Sequence, residues 1–166
     1  MFQNHWEEPY LHGTKTKKKS NFNNQQMNET LLNSDHLEVF YNLKFQYLHL
    51  IWKKTADLEE YQRSFIELTE FARNHPVNTF LADISRLTVL KPENRKWFEH
   101  EILPIAIDEF KLKRAAIRIS KTEAQKKYAH YIKEASNAHN FYLKIFYSER
   151  KALKWLKLSP NKHILF

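Results

Sequence analysis

The chain has 166 residues, enough for one domain with a sizeable core, and its 12 Phe, 8 Tyr and 4 Trp supply bulky material for that core. It has no cysteine, which excludes disulfides and thiolate metal sites and fits a reducing compartment. The formal net charge of +8 is concentrated in residues 111–166, where fourteen basic residues stand against three acidic ones (net +11); residues 36–110 hold nine basic and twelve acidic residues (net −3), and residues 1–35 balance.

Residues 1–10 lack the basic-then-apolar pattern of a signal peptide. The longest apolar run, residues 47–52, is interrupted by His49 and is far too short to span a bilayer. A cytoplasmic protein with no transmembrane segment is therefore expected. Residues 1–34 read as a disordered tail: Lys17, Lys18 and Lys19 precede a run rich in Asn and Gln, with no sustained periodicity. Trp6, Tyr10 and Phe22 are its candidates for docking elsewhere.

Ordered structure is expected from about His36, as a domain over 35–158 with a short tail at 159–166. Residues 37–41 and 45–53 read as two strands joined by Asn42, Leu43 and Lys44 in an antiparallel hairpin. In the second, Leu48, Leu50 and Trp52 share one face, and Phe45, Tyr47, His49 and Ile51 the other. His49, among apolar neighbours, reads as a core histidine with one hydrogen bond, the alternative being a ligand role. A helix follows over 57–74, capped by Asp57 with Glu60 in the capping-box position, with a stripe of Leu58, Tyr61, Phe65, Leu68 and Ala72. Pro76 ends it.

The central strand is residues 79–83, apolar on both faces and ended by Asp83, as expected for a strand covered on both sides. Pro92 opens the next helix, which carries Trp97, Phe98, Ile102 and Ile105. Pro104 lies inside that pattern and is expected to kink or break it, leaving one helix to about Leu103 and a short turn to Phe110. Residues 114–119 form another buried strand in which Arg118 is out of place. Thr122 and Gln125 make a capping box for a helix over 123–137, with a stripe of Ala124, Tyr128, Tyr131, Ile132 and Ala135. Residues 141–146 are the last strand, and Ser148 caps a final helix to about Leu158 with Ala152, Trp155 and Leu156 inward. Alternation of strands and helices implies parallel strands joined by right-handed crossovers, with the opening hairpin adding an antiparallel strand.

Several pieces in this order resemble a known family: Trp52 before Leu58-Glu59-Glu60-Tyr61, Leu81-Ala82-Asp83 closing the central strand, Glu93, Asn94 and Trp97 before Leu103-Pro104, and residues 141–146 followed by Glu149, Ala152, Trp155 and Leu156. Over residues 37–158 the chain resembles the SpoIIAA-like (STAS/SEC14-type) domains of unassigned function, related to the STAS-like anti-sigma-factor antagonists. The resemblance implies an α/β STAS-like mixed sheet with four to five helices, and a regulatory module that binds another protein or a small ligand. The antagonists proper carry a phosphorylated serine at the start of the helix after the central strand. Here that region is Leu90-Lys91-Pro92-Glu93, without the Asp-Ser-Ser-Gly-type signature, so no phosphosite is carried over.

No histidine pair has metal-binding spacing, and the single glycine, Gly13, excludes glycine-rich phosphate loops and the Gly-x-Ser-x-Gly elbow. No catalytic residue, metal or cofactor is expected, and the chain reads as non-enzymatic. In open α/β sheets the carboxyl ends of the strands are where ligands bind. The expected partner- or ligand-binding residues are Asp83, Ser85, Arg86, Trp97 and Arg118. The alternative for Asp83 is that it only bonds amides of its own turn. Three partner classes are in competition. A protein could dock at that edge, using Trp97 as an anchor. A lipid or small apolar ligand would need a closed cavity beside Trp52, Trp97 and Tyr131. Nucleic acid could engage the basic C-terminal third; the alternative for that charge is lysines solvated on exposed helix faces.

Overall fold

A computed structural model describes residues 28–157. Trp6, Tyr10, Gly13, Phe22, the lysine cluster at 17–19 and the apolar end at 163–166 lie outside them. Six strands form one sheet in the sequential order β1 (Asn28–Asn33), β2 (Leu37–Asn42), β3 (Tyr47–Trp52), β4 (Thr79–Asp83), β5 (Arg114–Arg118) and β6 (Tyr142–Phe146). The first three are antiparallel, and β3 to β6 are parallel. This is the expected α/β architecture, with one strand more. The expected tail ran through residue 34, yet β1 pairs with β2 from Asn28 onward. Its polar sequence gives no alternation, but pairing satisfies the backbone groups along the outer edge of β2.

The helices are α1 (Leu58–Asn74), α2 (Pro92–Trp97), α3 (Leu103–Asp108), α4 (Glu123–Ala138) and α5 (Glu149–Leu156). Their starts follow the expected chemistry. Asp57 accepts from the Glu60 amide at 2.9 Å, Thr122 caps α4 and Ser148 caps α5. Pro92 occupies the first turn of α2. Between α2 and α3 the chain makes a π-helical turn over Phe98–Ile102, closed by the Leu103 amide on the Phe98 carbonyl. Pro104 accounts for it: the ring offers no N–H and crowds the carbonyl four residues back, so the helix widens one turn earlier.

Because the parallel strands are laid down in one direction by crossovers of one hand, α1, α2, α3 and α4 share one face of the sheet. Trp52, Phe80, Ala82, Ile117 and Leu143 point into that layer with Tyr61, Phe65, Phe98 and Ile132. Helix α5, with no crossover to make, packs on the opposite face against β4, β5 and β6. There Ala152 and Leu156 meet Leu81 and Ala116 in a smaller core with Phe146 and Trp155. Two small cavities interrupt the main core, of about 60 Å³ behind Leu48, Leu68 and Ala106 and about 50 Å³ behind Trp52 and Ile132. Trp97 and Tyr131 line neither.

The buried face of α4 differs from the expected stripe. It runs through Gln125, Ala129, Ile132 and Ser136, while Ala124 and Tyr131 are exposed. Tyr131 instead stacks under Arg95, whose guanidinium carbon lies 3.5 Å from the ring centroid. Three turn positions with positive φ are held by Gln46, Lys111 and Asn140. Among the described residues no helix is long and apolar enough to cross a membrane.

Candidate functional site

Pleating puts Asp83 at the end of β4 on the α5 side of the sheet, directly across from Arg118 at the end of β5. Asp83 is only 2% exposed. One carboxylate oxygen accepts from the Ser85 amide at 3.0 Å and from its hydroxyl at 2.6 Å. The other takes the Arg118 guanidinium at 2.6 Å. The same guanidinium nitrogen stands 3.7 Å from Glu149 in the first turn of α5. One buried carboxylate therefore fixes two neighbours at the carboxyl edge and ties β4 to β5. Asp83 bonds its own turn and also reaches across the sheet to Arg118.

His49, in the middle of β3, lies on this same face and is 7% exposed. Its Nε2 is buried without a hydrogen-bond partner. Burial pulls the imidazole below its usual range. The Glu149, Asp83 and Glu38 carboxylates oppose that shift, and the Arg118 guanidinium adds to it. The ring is a neutral member of an otherwise charged group.

A second set of contacts holds the edge loops from the other side. The Gln125 side chain is 2% exposed. Its carbonyl oxygen accepts from the Ser120 amide at 2.6 Å, and its amide donates to the carbonyls of Leu87 at 2.7 Å and Ser85 at 3.3 Å. Loops 84–91 and 119–122 are thus clamped to α4. Nearby, the Asn94 amide donates to the Ala56 carbonyl at 3.1 Å and the Thr55 hydroxyl to the Val89 carbonyl at 2.6 Å.

Of the five residues singled out in the sequence, the structure brings Asp83, Ser85 and Arg118 into contact. Arg86 is exposed on the adjoining loop. Trp97 is not part of the group. It packs against Tyr61 and Phe65 in the helix layer, with the sheet between it and Asp83. Gln125 and Glu149 are the members that sequence reasoning did not weigh as site residues. From the sequence Gln125 reads only as part of a capping box, and a fully buried glutamine breaks the apolar periodicity that would reveal it. Elsewhere along the carboxyl edge, Val89, whose carbonyl accepts from Thr55 on the helix-layer side, is 58% exposed, and Tyr147, following β6, is 54% exposed. Among the described residues no cluster of three or more His, Asp or Glu side chains is placed to hold a metal ion.

No protein-family model and no curated protein matches the chain. Among solved structures it is similar to an uncharacterized protein of the DUF3478 family with a SpoIIAA-like fold from Shewanella loihica PV-4. The two are 22% identical, with a TM-score of 0.49, and the match covers 78% of this chain and 91% of that one.

Proposed function

We propose that the chain is a non-enzymatic regulatory module that binds a protein partner at the carboxyl edge of its sheet. One observation carries this reading: buried Asp83 uses both its oxygens to hold Ser85 and Arg118 at an edge where Arg86, Val89 and Tyr147 are exposed. Tyrosine and arginine are the residues that interfaces favour, and a surface held in place before binding loses less entropy on docking. The two cavities inside the core, of about 60 and 50 Å³, are far smaller than ligand pockets of roughly 300–1,000 Å³, and the larger hollow of about 510 Å³ at Lys133, Asn137 and Tyr142 is open and partly polar rather than a closed apolar chamber, which favours a protein partner over a carried lipid.

The test is affinity capture with the full chain as bait, comparing wild type with Val89→Glu and Tyr147→Glu, and with Ile66→Glu as an exposed apolar control on α1. Edge variants should lose a partner that the control retains. Equal capture by all four would overturn the reading.

A further inference from the structure

Helix α5 presents two opposed faces. Ala152 and Leu156 are buried against the sheet, and Glu149 is turned toward Arg118. What remains outward is Arg150, Lys151 and Lys154, with Lys157 just past the last turn, all exposed. At 1.5 Å per residue, positions 150 to 157 span about 10 Å. The track continues onto the β2–β3 turn. The Lys157 ammonium lies 4.9 Å from the Phe45 ring centroid, and the exposed Lys44 ammonium lies 5.3 Å from the same centroid. Two cations thus converge on one aromatic ring. None of these five has an acidic partner at ion-pair distance among the described residues, whereas Lys54, Arg73 and Lys126 elsewhere on the surface are paired.

We infer that this face binds the phosphate backbone of nucleic acid without regard to sequence, as a surface separate from the carboxyl-edge site. Duplex DNA carries about one phosphate per 1.7 Å of helix axis, so the four cations along the 10 Å track and Lys44 beyond them face enough backbone charge to neutralise about five phosphates. A bilayer is the poorer fit. Interfacial helices insert an apolar face, and the apolar face of α5 is packed on the sheet. An acidic protein is also a poorer fit, since lysine is depleted at protein interfaces and this track has no apolar anchor along α5.

The experiment is fluorescence anisotropy of a labelled mixed-sequence duplex titrated with the full chain at 50 to 200 mM salt. Five neutralised phosphates give a log–log salt slope of about −4.5, which is a roughly 500-fold loss of affinity over that range. The triple variant R150Q/K151Q/K154Q, with its fold checked by circular dichroism, should bind at least tenfold more weakly at 50 mM and lose between two and three units of slope. No binding at 50 mM, or a flat salt dependence, would overturn the inference. Wild-type affinity in the folded triple variant would also overturn it, because the contacts would then belong to other cations. Phosphatidylserine vesicles in parallel decide the remaining alternative: capture by vesicles without binding to duplex contradicts the assignment.

Discussion

Replacing Arg118 with alanine removes the guanidinium from Asp83 and leaves a carboxylate whose side chain is 3% exposed with only Ser85 as partner. Breaking a buried ion pair from one side costs about 3–5 kcal/mol, whereas an exposed pair is worth roughly 0–1 kcal/mol. Arg118 itself is 30% exposed. Water can enter the space it vacates, and two Ser85 donors remain, so the expected cost falls to about 2–3 kcal/mol. With a urea m-value of roughly 2 kcal/mol/M, the unfolding midpoint should drop by about 1 M with m unchanged. The double variant D83A/R118A should cost clearly less than the sum of the single changes, because Asp83→Ala removes the charge that Arg118→Ala strands. A midpoint shift under about 0.3 M, or additive single changes, would refute the view that this pair organises the edge.

Three further outcomes follow from the same geometry. The His49 imidazole is held below its usual pKa by burial, so the unfolded chain takes up its proton first as pH falls below about 6.5, and stability declines there relative to neutral pH. Urea midpoints at pH 7.5 and 5.5 should differ less in His49→Phe than in wild type; an identical difference would contradict this. Gln125→Ala loses three hydrogen bonds to backbone groups, which should cost about 2–4 kcal/mol and speed hydrogen exchange at the Ser120 amide. Unchanged protection of Ser120 would argue against the clamp. Lys111 adopts φ 55° at the turn before β5, so Lys111→Gly should stabilise the fold by about 0.5–1 kcal/mol, checked by thermal unfolding.

The local chemistry of the chain is legible from its residues. Asp57, Thr122 and Ser148 cap the helices they were expected to cap, and the central strand ends at Asp83. Strand β1 was hidden because Asn28–Asn33 is mostly exposed and polar; its place depends on the unpaired edge of β2. Gln125 was hidden because its burial depends on three backbone groups distant in the chain. Periodicity also gives no information on which side of the sheet a helix will lie. For that reason the sequence alone groups Trp97 with Asp83, although α2 and α5 sit on opposite faces. Arg118, by contrast, is conspicuous: a charged residue between the buried Ile117 and Ile119 needs a partner, and Asp83 supplies it.

The claim that the carboxyl edge is a partner surface is tested most directly by site-specific photo-crosslinking in cells. A photoreactive phenylalanine placed at Val89 or Tyr147 should yield a discrete protein adduct, and the same group at the exposed Ile66 of α1 should not. An adduct from position 66 alone, or from none of the three, would contradict the account.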